Sequence, residues 1–126
     1  MISFDFGTGP VPAHKHPNGG GWVADTANVS DSVFVGKNAR VFDEASVCDN
    51  VRIEGNARVS GFAAILHRAM IYGDARVEGH ATVYGSARIY ENALVSGGAN
   101  VYESASVHGN AVVNKNMQIC GNLTCV

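Results

Sequence analysis

The chain has 126 residues, a formal charge of −2 and 46% hydrophobic content, but only 8% aromatic residues. One domain is expected at this length, with its bulk supplied by Ala and Val rather than by large rings. The near-neutral charge excludes a general nucleic-acid binder, which would carry a basic excess, and no run approaches the roughly 20 apolar residues that cross a bilayer.

Residues 1–20 have no internal rhythm. ISFDF alternates as a strand does, and GTGPVPAHKHPNGGG reads as loop. The opening MISFDFGTGP lacks the basic start and apolar block of a secretory signal. Three cysteines make no disulfide framework, so a cytoplasmic location is expected. His14 and His16 are weak metal candidates: two imidazoles are too few for a site by themselves, and no metal is assigned.

From Val23 the chain turns periodic. Val or Ile recurs every sixth residue at 17 consecutive positions, Val23 to Ile119, without an insertion. Four residues after each anchor stands Ala in 13 cases, with Val33, Val51, Met117 and Leu123 at the others. A period of six does not suit an α-helix, whose apolar face recurs near 3.6. It does suit a short strand and a tight turn. In Ala81-Thr82-Val83 the first and third side chains point inward and the second outward. Turn formers follow, as in Gly73-Asp74, Gly85-Ser86 and Gly109-Asn110, where glycine meets the left-handed demand of a corner. Three hexads close a triangular coil of 18 residues. The prediction is an all-β, single-stranded parallel β-helix over residues 21–126, of between five and six coils, with residues 1–20 as an N-terminal cap. The prism is filled by small aliphatic groups, so any function lies on the faces, corners or ends. Met117, Leu123 and the inward Cys125 are expected to fill the last coil.

Residues 18 apart stack into columns. Trp22, Arg40, Arg58 and Arg76 share one column, continued by Leu94 and Val112. Stacked like charges repel. The column is read as a candidate anion or partner site, with guanidinium forks for phosphate or carboxylate. The competing reading neutralises it with Asp43, Glu44 and Glu78, and lays Trp22 over Arg40 as a cation–π lid. A second face carries Cys48, Leu66, Tyr84, Tyr102 and Cys120. A third carries Met70, Tyr72, Tyr90 and His108, with Phe34, Arg52 and Arg88. Leu66, Met70, Tyr72, Tyr84, Tyr90 and Tyr102 are the expected oligomer interface. Cys48 and Cys120 lie four coils apart, beyond disulfide reach.

The uninterrupted hexads resemble the hexapeptide-repeat proteins. GGGWVADTANV followed by V-x-G-N-A-x hexads is most similar to small YdcK-like proteins of bacteria and their phages. The resemblance implies a left-handed helix and a homotrimer. It also raises two enzyme readings. A zinc-dependent carbonic anhydrase needs three converging histidines, and the spacing of His67, His80 and His108 does not supply them. An acyltransferase using coenzyme A or an acyl carrier would take His108 as general base, though this chain throws out no loop to build a cleft. The favoured reading is a non-catalytic scaffold without a cofactor. Its partner would be a host protein or a small anionic ligand, as for a phage- or mobile-element-encoded factor that inhibits a host defence. Membrane binding is not expected.

Overall fold

The computed structural model describes residues 2–7 and 9–120, together with the backbone of 124–125. Among them there is no helix. From Trp22 onward, strands of two or three residues stack in parallel on three sheets that share one axis. One sheet stacks Trp22, Arg40, Arg58, Arg76, Leu94 and Val112 in register. The second runs from Asn28–Val29 to Gln118–Ile119, and the third from Phe34–Val35 to Thr124–Cys125. Every parallel pairing joins residues 18 apart, as in Ile65 with Val83 and Ile71 with Ile89.

The periodic residues explain the shape. The anchors from Val35 to Val113 are at most 1% exposed, and the alanines from Ala39 to Ala105 likewise. Each buried Val or Ile contributes roughly 1.5–3 kcal/mol of transfer free energy. Alanine opposite it keeps the prism narrow enough to close without a cavity. Val29 is the exception, only partly buried, because its strand ends the sheet at the N-terminal tip.

The corners have a logic that the repeat alone does not display. From Val41 to Val113 the residue two after each anchor is left-handed. Gly55, Gly73, Gly85 and Gly109 hold it, but so do Asp43, Asp49, His67, Glu91, Glu103 and Lys115, with φ of 57–66°. Four of these non-glycines reach up one coil. Asp43 Oδ2 accepts the Gly61 N–H, Asp49 Oδ2 that of His67, His67 Nδ1 that of Gly85, and Glu91 Oε1 that of Gly109, each at 3.1 Å. A left-handed side chain costs on the order of 1 kcal/mol. The hydrogen bond to an otherwise solvent-facing donor offsets it by a similar amount.

The N-terminal segment differs from the expectation. PVPAHK is not loop: Pro10–Lys15 forms strand β2, antiparallel to β1 (Ser3–Asp5) on one side and to β3 (Trp22–Ala24) on the other. Two prolines are tolerated because of where they fall. Pro10 opens the strand, and the Pro12 carbonyl accepts the N–H of Asp25, just past the end of β3. A missing donor there breaks no bond within the ladder. Asp5 Oδ1 ties the hairpin turn by accepting from Gly7 and Gly9 at 2.7 and 3.1 Å. Residues 16–21 then close the first coil: Val35 donates to Asn18 O, and Gly21 donates to Val35 O. A Cβ on Gly21 would lie 2.3 Å from the Gly36 carbonyl, so only glycine fits.

The other end is also corrected in part. Met117 does not fill the last coil. It is 45% exposed, and its sulfur instead accepts the Asn114 N–H at 3.4 Å. The sulfur takes the donor at its own corner rather than the axial place that Ala99 fills one coil below. Leu123 and the side chain of Cys125 lie outside the described residues.

Candidate functional site

The arginine column stands where the register puts it. Arg58 and Arg76 are exposed and Arg40 is half-buried. The proposed neutralisation does not take the expected form. None of the ion pairs among the described residues involves Arg40, Arg58 or Arg76. Asp43 instead serves its corner through Gly61. Trp22 is not the lid on Arg40 either. Phe4 takes that place, 5.0 Å from the guanidinium carbon, while Trp22 stacks on Phe4 at 4.8 Å and holds the Lys15 ammonium at 5.7 Å. The aperiodic cap supplies the ring, which is why the columns alone pointed to the wrong one.

Arg58 and Arg76 remain without a salt-bridge partner among the described residues. At a coil spacing of about 5 Å their repulsion in water is on the order of 1 kcal/mol, small enough to be tolerated without a ligand. Beside them runs a second column that sequence reasoning missed: Asn56, Asp74, Asn92 and Asn110, each two residues before a member of the arginine column. Asn56 Nδ2 donates to Asp74 Oδ1 at 3.2 Å. Together the two columns border shallow clefts: Asn56 and Asp74 with Arg58 and Arg76, then Asn92 and Asn110 with Leu94 and Val112. The signal was available as an Asn-x-Arg or Asp-x-Arg triplet repeated every 18 residues.

The tyrosines stack along the axis. Tyr72 and Tyr90 stack 4.9 Å apart with their planes nearly parallel, Tyr90 and His108 5.1 Å, and Tyr84 and Tyr102 5.3 Å. Leu66, Met70, Tyr72, Tyr84, Tyr90 and Tyr102 are all half-buried already within one chain. Burial first, then the neighbouring Tyr90, pushes the Tyr72 phenol above its ordinary range. A hydrogen bond with the Cys120 thiol does the same for Tyr102. Beyond the named strips, Phe62 is 56% exposed and stacks on His80 at 4.9 Å. It breaks a polar corner column (Glu44, His80, Asn116), which was its signal.

The histidines occupy separate places. His67 Nδ1 accepts the Gly85 N–H, which leaves the ring proton on Nε2. His108 Nδ1 lies 3.4 Å from Glu91 Oε1, the same oxygen that accepts from Gly109. His14 Nδ1 is bonded to Asp25 at 2.7 Å, whereas His16 is 2% exposed and bonded through Nε2 to the Val33 carbonyl at 2.7 Å. The two cap rings are thus engaged by different partners. No group of three or more His, Cys, Asp or Glu among the described residues is placed to hold a metal. Cys48 and Cys120 are free thiols, and burial followed by the adjacent Asp49 pushes the Cys48 thiol up.

Comparison with known proteins gives one finding about the repeat. Residues 69–85 and 87–103 match the family model described as the YdcK beta solenoid repeat. No curated protein and no solved structure matches the chain. The matched repeats lie in the middle of an unbroken stack with one register throughout: the fold is a parallel β-solenoid, and residues 69–103 of it are similar to the YdcK beta solenoid repeat.

Proposed function

We propose that the chain is a non-catalytic binding scaffold whose arginine column recognises an anionic partner, either carboxylates on a host protein or a small anionic ligand. The observation that carries this reading is Arg58 and Arg76, exposed on adjacent coils and free of ion pairs among the described residues. Their backbones are pinned by ladder bonds to the coils on both sides, to Ala75 and Ala93 among others. Arginines presented this way lose little freedom on binding, and bidentate forks suit carboxylate or phosphate. The half-buried Tyr84 and Tyr90 faces support assembly into a trimer of left-handed coils. A phage- or mobile-element-encoded factor acting on a host protein in the cytoplasm fits such a rod.

Arg58→Glu should abolish capture of a stoichiometric protein from bacterial lysate while leaving the melting curve and the sedimentation of the oligomer unchanged. Retained capture would remove the arginine column from the account. The Glu91 carboxylate near His108 supports a second reading, an acyltransferase with His108 as base. Under it, acetyl-coenzyme A raises the melting temperature and His108→Ala abolishes turnover.

A further inference from the structure

The cap hairpin does more than close the first coil. It lays Phe6 on Phe42, ring centroids 4.8 Å apart, and leaves a cleft between β2 and the first two coils. Phe6, Phe42, Val11 and Pro12 form its apolar walls, and Asp25 and Asp43 border it from successive coils. The two acids are held in place. The Asp25 carboxylate is bonded to His14 through Oδ1, and that of Asp43 accepts the Gly61 N–H through Oδ2. Thr26 Oγ1 donates to the Asp43 carbonyl at 2.5 Å, tying the two corners together. Among the described residues these bonds occupy one oxygen of each carboxylate. Neither acid has a Lys or Arg partner there. The cations of this region, Lys15 and Arg40, are committed elsewhere, over Trp22 and Phe4.

We propose that this cleft binds a small organic ammonium: an apolar, preferably aromatic, body against Phe6, Phe42 and Pro12, with the cationic head between Asp25 and Asp43. Charge decides the choice. An anion would face two carboxylates, and a neutral apolar molecule would leave both without a Lys, Arg or ammonium partner among the described residues. An ammonium gains charge-assisted hydrogen bonds from each and a face of an aromatic ring. The reading does not depend on the arginine column, and Arg58→Glu should leave it intact.

The test is a titration of the full chain with benzylammonium, benzyl alcohol and benzoate, followed by amide NMR shifts. Benzylammonium should move the Thr26, Phe42 and Asp43 amides saturably and bind about tenfold or more tighter than benzyl alcohol. Benzoate should not bind. Asp43→Asn should weaken benzylammonium by about tenfold, since asparagine keeps the left-handed corner and an acceptor for Gly61 while removing the charge. Asp25→Asn provides the same measurement at a position outside the left-handed corner. Equal binding of the alcohol and the ammonium, insensitivity to both variants, or shifts confined to distant coils would each overturn the proposal.

Discussion

The coils and the cap bury their apolar residues by opposite rules. Within the coils, Val77 meets Val59 below and Val95 above, and each contact repeats every 18 residues. The cap has no repeat. Phe4 packs edge-on to Phe6 and face-on to Trp22, and Phe6 stacks on Phe42. The coil interior is a one-dimensional crystal in which any position predicts the next. The cap is a unique cluster of Phe6, Ala13 and Ala24 closed by rings from three separate stretches of chain. The comparison teaches that the periodic part supplies stiffness and the aperiodic part supplies distinct surfaces, including the Lys15–Trp22 and Arg40–Phe4 contacts and the cleft beneath the hairpin.

The most severe way to break that contrast is Val83→Asp. Val83 is 0% exposed, between Ile65 and Val101. An unpaired carboxylate there has a desolvation cost that exceeds the roughly 5–15 kcal/mol stability of a whole domain. A solenoid is held by nearest-neighbour contacts, so severing the middle leaves short stacks on either side. Circular dichroism should report an unfolded chain. A cooperative melt close to that of the parent protein would mean that the interior has room to rearrange. A milder change acts on the other region. Phe6 is 5% exposed, and Phe6→Ala deletes a ring worth about 3–5 kcal/mol in a core. Its loss should release the hairpin alone: amide exchange across residues 3–15 should rise sharply while Val59 to Val101 stay protected. Loss of protection in both regions together would show one cooperative unit and erase the distinction.

The same contrast explains how much was readable beforehand. The inward Val, Ile and Ala of the coils could be assigned because a narrow prism admits few side chains and reuses them at every level. Strand β2 was hidden by Pro10 and Pro12, whose tolerance depends on where β3 ends. The partner of Arg40 was hidden because Phe4 arrives from outside the columns. The corner hydrogen bonds were partly visible, as Asp43, Asp49, His67 and Glu91 stand in columns where glycine recurs. Period alone points Met117 inward, whereas its sulfur turns out to the Asn114 N–H. Shape at the ends is set by single contacts, and period carries no information about those.

The gentlest probe uses a chemical difference between the aromatic groups of the two regions. The cap uses Phe and Trp, which do not ionise as acids, whereas the coils stack phenols. Tyr72 is held above its ordinary range by burial and by Tyr90, so the folded state keeps a proton that the unfolded chain releases near pH 10. A raised folded pKa gives a contribution fully present below the unfolded value, and that contribution is lost as pH rises through the folded one. Urea midpoints should therefore fall modestly above about pH 10, and Tyr72→Phe should reduce that fall. Exchange in the coils around Tyr72 and Tyr90 should increase before exchange in the hairpin does. If the hairpin opened first in alkali, the phenol stack would not be the weaker element, and the cap would owe its stability to the coils more than to its own rings.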